Sequence, residues 1–432
     1  VVHTLNLRLS GEDLAYIVGH AGDKVLLVDE ILLPVLDKFR ANVALDHIVV
    51  MSATAKARDG MLDYETLLAA ADPDADLPEP HEADAAAMCF SSGTTGKPKG
   101  VLYSHRSVVL HSMGSAMVDT VAISQADTVL PVVPMFHVNA WGLPFTCTLV
   151  GAKQVLPGPH LDGESLLELL EREQVTFTAG VPTIWFGILA ALEKDPDRWN
   201  PPAGLRMLVG GSAAPLSLIK AFDRHGLQVI HAWGMTETTP LAAVSNLRSE
   251  LADAAEDVRY AARAKQGLPV PFVEVRARGD DGLIPQDGVA MGELEVRGPW
   301  VAGEYYNAPE GRDRFTPDGW FKTGDVVSID AYGYIEIKDR SKDLIKSGGE
   351  WISSVALENA LMGHPAVAEA AVIAIADPKW QERPLAVFVL KQGKGATKDE
   401  LIDFLRPTFA KFLLPDDVVF AESIPRTATG KF

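Results

Sequence analysis

Cysteine is almost missing from this chain: of 432 residues, only Cys89 and Cys147 carry a thiol. That excludes a disulfide framework and points to a reducing compartment, the cytoplasm. Positive charge is also short. Lysine and arginine number 39 against 58 aspartates and glutamates, a net charge of −19, so most of the surface repels nucleic acid and anionic lipid. Any polyanion must bind in a local pocket lined by basic side chains or backbone N–H groups. No basic segment with an apolar run and a small-residue cleavage site opens the sequence, so nothing marks secretion. Charge is absent altogether from Thr128 to Ala152, a stretch long enough to span a bilayer. Pro131, Pro134 and Pro144, with His137 and Asn139, interrupt it and suit buried strands and turns instead.

What is present is a globular composition, 47% hydrophobic and 22% charged, in a chain too long for one core. Two or three packed units are expected. Ser10 caps the helical stretch 11–22, and Lys24–Asp29 reads as a buried parallel strand. The acidic, proline-punctuated run 72–84 is a solvated connection before the apolar strand 85–90. Helical patterns at 165–174, 183–194 and 216–226 then alternate with apolar runs at 175–182, 205–211 and 227–234, the rhythm of βαβ units. From about 267 to 339, Gly- and Asp-punctuated strand pairs predict a small β-rich subdomain. Strands and helices mix again from Asp343 to Phe432. The fold class is therefore α/β: a large domain over 1–339, a break at 340–342 and a small α+β domain over 343–432.

The sharpest chemical signal is Ser91-Ser92-Gly93-Thr94-Thr95-Gly96-Lys97-Pro98-Lys99-Gly100, between a strand and a helix pattern. Three glycines, four hydroxyls and two lysines offer backbone and side-chain donors and charge to a phosphate chain. Pro98 stands where a Walker loop needs its second glycine, so this is a different loop. It resembles that of the adenylate-forming superfamily of acyl-CoA synthetases, firefly luciferase and peptide-synthetase adenylation domains. The resemblance recurs in order along nearly the whole chain. Gly210-Gly211-Ser212-Ala213-Ala214-Pro215 is similar to the family's adenine-side loop, and Trp233-Gly234-Met235-Thr236-Glu237 to its central motif. Trp233 offers an aromatic face to a purine and Glu237 a hard oxygen to Mg²⁺. Thr323-Gly324-Asp325 resembles the ribose-binding motif, and Asp339-Arg340-Ser341-Lys342-Asp343 the hinge.

That resemblance implies roles residue by residue. Ser91, Ser92, Gly93, Thr94, Thr95, Gly96 and Lys99 would hold phosphates, with Thr94 and Glu237 at the metal. Gly211, Ser212, Ala213, His231, Ala232, Trp233, Gly234 and Thr236 would surround the nucleotide. Asp325 and Arg340 would take its ribose and phosphates, and Lys342 would be the pivot. Lys346 would face the nucleotide or the CoA channel, which His137, Gly348, Gly349 and Trp351 would line. Lys431, in Pro425-Arg426-Thr427-Ala428-Thr429-Gly430-Lys431, resembles the catalytic lysine, placed to bridge the acid carboxylate and the α-phosphate. Pro134-Met135-Phe136-His137 followed by Trp141 resembles the segment near the acyl carboxylate, with Trp141 as a gate on the acyl tunnel.

The implied protein is an acid:CoA ligase using ATP, Mg²⁺ and coenzyme A, and it most resembles bacterial medium- and long-chain fatty-acyl-CoA synthetases. Relatives that activate methylmercaptopropionate share the same strings, and a homodimer is compatible with the family. Members of the family begin about a hundred residues earlier and continue past a position like Phe432, so a chain truncated at its start and end is expected. Three rivals stay open: an adenylation domain serving a carrier protein, a nucleotide-binding fragment without activity, and a hydrolase. The last lacks any G-x-S-x-G elbow.

Overall fold

The computed structural model describes residues 1–52, 60–91, 97–348 and 350–425. At its centre is a seven-stranded sheet. In spatial order its strands are Leu268–Pro269, Leu241–Val244, Gln228–Gly234, Arg206–Val209, Phe177–Gly180, Thr128–Pro131 and Lys153–Gln154. The last five run parallel, and the first two pair antiparallel. Alternation along these strands divides the interior, because successive side chains leave opposite faces of a strand. Met207, Val209 and Val229 pack with the helices Gly163–Arg172, Pro182–Lys194 and Leu216–Arg224 through Leu166, Leu170, Trp185, Ile188, Ile219 and Phe222. Leu208 and Ile230 face the other way, into a second core shared with Tyr103, Trp300 and Phe321.

Beside this sheet stand two three-stranded ones. Val2–His3, Ala85–Phe90 and Gly100–Ser104 form the first; Val25–Asp29, His47–Met51 and Leu62–Asp63 form the second. Val25–Asp29 is parallel to its neighbour as expected, but as an edge strand it is buried on one face only: Val28 packs into a core, while Val25 and Leu27 are 48% and 53% exposed. The charge-free stretch is also different from its expected strands and turns. Only Thr128–Pro131 is a strand, and Leu143–Val150 is a helix. No helix among the described residues is long and apolar enough to cross a membrane.

The β-rich segment forms a five-stranded antiparallel sheet of Gly282–Leu283, Glu274–Gly279, Gly292–Arg297, Phe321–Ile329 and Ile335–Arg340. Beyond it, Ile345–Ser347, Glu350–Ile352, Val367–Asp377, Gln381–Leu390 and Asp417–Phe420 make a further sheet. Helices Ser354–Leu361 and Lys398–Leu405 bury Leu357, Leu361, Leu401 and Leu405 in a core drawn only from this part of the chain.

Candidate active site

Loops that follow the carboxyl ends of parallel strands converge on one cleft, where α/β sheets bind ligands. His137 follows Thr128–Pro131, Val181–Thr183 follow Phe177–Gly180, Gly210–Ala213 follow Arg206–Val209, and His231–Glu237 end Gln228–Gly234 or follow it. The cleft holds about 1280 Å³. Its wall is completed by Ser91, Lys97, Lys99, Asp325, Arg340 and Lys342 and by the segment from Ser354 to Pro425.

Register explains the best-ordered part of this wall. Asp325 and Arg340 are directly opposite on antiparallel strands, so their side chains share a face. The Arg340 Nε lies 2.8 Å from one Asp325 oxygen, and the Trp233 indole N–H donates to the other at 3.0 Å. Thr323 turns the carboxylate inward: its hydroxyl accepts from the Asp325 N–H at 3.0 Å and donates to the Leu294 carbonyl at 2.8 Å. Asp325 is 2% exposed, so its charge is sheltered, and a carboxylate is an acceptor suited to ribose hydroxyls.

Glu237 sits in a short helical turn and is buried, its carboxylate accepting from the Tyr305 hydroxyl at 2.6 Å. Burial and that charge push the Tyr305 phenol well up, so it stays a donor. Lys99 Nζ lies 5.1 Å from the centre of the same ring, which links the Lys99 end of the 91–100 motif to Glu237. Ser91 Oγ accepts from the Lys99 N–H at 3.0 Å, closing the base of that loop. Thr236 is buried and its carbonyl accepts from Tyr103 Oη at 2.8 Å. Tyr305 was not singled out by any motif; in the sequence it is one aromatic among many.

Among the described residues, no group of three or more His, Cys, Asp and Glu could hold a metal. Glu237 fits Mg²⁺ nonetheless, because Mg²⁺ is usually held by one or two carboxylates together with substrate phosphates and water. Ser92, Gly93, Thr94, Thr95 and Gly96 lie outside the described residues, as do Gly349 and Lys431.

His231 is 2% exposed, Nδ1 lies 3.0 Å from the Ala264 carbonyl, and burial lowers its pKa to about 4. It is therefore neutral at pH 7. Gly211, Ser212, Ala213, Ala232 and Gly234 all line the cleft, as does His137. After His137 the backbone does something no local pattern signals. Val138, Asn139, Ala140, Trp141 and Gly142 all have positive φ, between 42° and 72°. A left-handed turn costs L-residues roughly 1–2 kcal/mol each, so its surroundings must impose it. Val138, Asn139 and Ala140 are at most 3% exposed, and the Asn139 N–H points to Cys89 Sγ at 3.2 Å. A Cβ at Gly142 would lie 2.5 Å from the His111 ring, which adds a steric demand for glycine to the conformational one. The turn delivers Trp141 into the cleft.

Around the break in the chain, Asp339 accepts from the Ser354 N–H at 2.7 Å and from its hydroxyl at 2.8 Å. Lys342 lies in the cleft wall, 3.9 Å from Asp343. Glu358, not anticipated from the sequence, also lines it. Burial, then the charges of Asp339 and Asp343, push its carboxyl up to about 7, against a hydrogen bond from the Val372 N–H. Lys346, Gly348 and Trp351 stand elsewhere: they are not among the cleft-lining residues, and the exposed Lys346 Nζ rests 4.9 Å from the exposed Trp351 ring. Ile424 and Pro425, which lead into 426–431, line the cleft instead.

A cleft at the strand ends with a carboxylate–arginine pair beside an indole, and with a buried glutamate and two lysines in its wall, is the arrangement expected of the adenylate-forming class of enzymes. Comparison with known proteins agrees. The AMP-binding enzyme model matches residues 1–306 and the AMP-binding enzyme C-terminal domain matches 356–431, so the chain belongs to the AMP-binding enzyme family. It is 53% identical over 436 residues to a long-chain-fatty-acid–CoA ligase of Thermus thermophilus, covering all of this chain and 79% of that one. It is 45% identical over 438 residues to a 3-methylmercaptopropionyl-CoA ligase of Ruegeria pomeroyi, of which it spans 80%. Among solved structures, the O-succinylbenzoate coenzyme A synthetase of Bacillus subtilis, in complex with ATP and magnesium ion, superimposes with a TM-score of 0.81. The two are 27% identical, and the match covers 99% of this chain and 82% of that one.

Proposed function

We propose that the chain is an AMP-forming fatty-acid:CoA ligase. One observation carries this reading. The nucleotide constellation of Trp233, Glu237, Asp325 and Arg340 opens into the same space as an apolar wall of Val121, Trp141, Val181, Phe186 and Leu208. A carboxylate headgroup and its hydrocarbon tail therefore have adjoining places.

In the first half-reaction an oxygen of the acid attacks the α-phosphorus of ATP, the bond to the bridging oxygen breaks, and pyrophosphate leaves. Trp233 packs on the adenine, Asp325 accepts the ribose hydroxyls, and Arg340, Lys97 and Lys99 supply positive charge along the phosphates. Bound at Glu237, Mg²⁺ would withdraw charge from the phosphate oxygens. By the resemblance, Thr94 assists there and Lys431 bridges the acid and the α-phosphate. In the second, the sulfur of coenzyme A attacks the acyl carbon and AMP leaves. No enzyme thiol takes part: Cys89 and Cys147 are fully buried, and burial pushes each up to about 11. Two buried thiols also suit the cytoplasm.

The small unit from 343 to 432 would turn about Lys342 between the halves, exchanging the Lys431 loop for the hairpin of Lys346, Gly348, Gly349 and Trp351. Its separate core supports this, as does the present arrangement with Ile424 and Pro425 at the cleft and the hairpin away from it. A second reading, a ligase for a short sulfur-containing acid, is favoured by the Ruegeria relative and by the indole standing in the acyl side of the cleft. The test is pyrophosphate release and acyl-CoA formation with ATP, CoA and acids from C3 to C18, methylmercaptopropionate included. Maximal kcat/KM at C8 or longer is expected. A maximum at methylmercaptopropionate would favour the second reading, and no product with any acid would reject both.

A further inference from the structure

We propose that Gly210 is a specificity-determining residue: its bare Cα is the seat on which the Trp141 indole closes the acyl side of the cleft. The inference rests on the ligase reading above. The far edge of the indole reaches across to the end of the strand Arg206–Val209. A Cβ on Gly210 would stand 3.2 Å from Trp141 Cη2, 3.5 Å from Cζ3 and 3.2 Å from the Ala232 carbonyl oxygen. The two 3.2 Å distances are tighter than ordinary van der Waals contact, so a side chain at 210 must displace the ring or strain the strand by a few tenths of an ångström. Gly210 is not among the glycines with positive φ, unlike Gly142 and Gly211. Its lack of a side chain therefore serves space and not backbone conformation.

The other half of the device is the base of the tryptophan. Its backbone belongs to the left-handed turn, whose preceding residues Val138–Ala140 are locked in the core. The base cannot slide, so the ring can move only by rotation about its side-chain torsions. Val181, Phe186 and Leu208 line the same cleft as the ring. An anchored base, a rotating ring and a bare stop together set how far an acyl chain can reach. Filling the stop props the ring off its seat.

The experiment compares kcat/KM for saturated acids from C4 to C16 in the wild type, Gly210→Ala, Trp141→Ala and the double variant, with melting temperatures alongside. Trp141→Ala should raise long acids over short ones by about tenfold or more, the low end of what one methylene contributes in an apolar pocket. Gly210→Ala should shift the profile in the same direction by a smaller factor, and should add nothing in the Trp141→Ala background. An unchanged Gly210→Ala profile overturns the proposal. So does an equal shift in both backgrounds, which would place the methyl's effect on the Ala232 carbonyl and not on the ring. Should Gly210→Ala not fold, Trp141→Phe, which lacks the indole edge that meets Gly210, must show the same direction of shift, and a wild-type profile there refutes it. A wild type that releases no pyrophosphate with any acid fails the ligase reading itself and takes the inference with it.

Discussion

Replacing Asp325 by asparagine separates two duties that one carboxylate performs. In the folded chain its two oxygens receive the Trp233 N–H at 3.0 Å and the Arg340 Nε at 2.8 Å, at a site only 2% exposed. Asparagine has one carbonyl oxygen, and its amide group cannot accept. Because Trp233 is buried while the Arg340 side chain is 40% exposed, the carbonyl should turn to Trp233 and Arg340 should swing out to water. The fold then loses little. Nucleotide binding loses a charged acceptor for the ribose, and hydrogen bonds to charged groups contribute about 1.5–3 kcal/mol. That corresponds to a rise in KM for ATP of roughly 10- to 150-fold, at 1.4 kcal/mol per tenfold. Alanine should add a structural cost, since the Trp233 N–H would be buried without a partner at about 1–3 kcal/mol. Pyrophosphate exchange at varied ATP and saturating acid gives the first quantity, and thermal unfolding the second. A KM for ATP within twofold of wild type in Asp325→Asn refutes the ribose assignment. A parallel rise in KM for the acid would show a general collapse of the cleft instead.

Glu237→Gln should keep the Tyr305 hydrogen bond through its carbonyl oxygen while removing the charge, raising the Mg²⁺ concentration for half-maximal exchange at least tenfold with the melting temperature nearly unchanged; a normal Mg²⁺ titration would remove the metal role. Lys431→Ala should lower adenylate formation by several orders of magnitude but leave thioester formation from synthetic acyl-adenylate intact, and equal loss of both would contradict the exchange of the Lys431 loop for the Lys346–Trp351 hairpin. Stability should fall as pH drops from 6.5 to 4.5. His231 and His111, lowered by burial to about 4 and about 3, stay neutral when folded but take up protons when unfolded, so their contribution is complete above pH 6.5 and is lost below it. Glu358, raised to about 7, acts with the opposite sign, contributing below pH 4.5 and losing that contribution as pH rises through 7. Two histidines oppose Glu358 and, toward the acid end, Asp339, whose carboxyl burial also raises, so at about 1.4 kcal/mol per pH unit each the net slope is at most about 1.4. His231→Asn, which keeps a donor for Ala264, should flatten the melting temperature across that window, and an unchanged slope would refute the assignment.

The sequence alone determined the elements whose causes are local. Helices such as Leu216–Arg224 and the strands alternating with them follow from a 3.6-residue or two-residue spacing of apolar side chains, which neighbouring residues carry wherever the segment ends up. That Trp233, Glu237, Asp325 and Arg340 belong to one set was also legible, because each stands in a short string that resembles a motif of the same family, and the folded chain brings all four to one cleft. Tertiary structure decided what depends on partners distant in the chain. Tyr305 meets Glu237 across 68 positions, and nothing near either residue encodes the pairing. Val25–Asp29 has the composition of a buried strand, yet its sheet ends with it, and an edge is a property of the sheet. The turn at Val138–Gly142 is the extreme case. Val138, Ala140 and Trp141 disfavour positive φ, so only the packing of Val138, Asn139 and Ala140 and the ring of His111 beneath Gly142 could hold them there, and with them the place of Trp141.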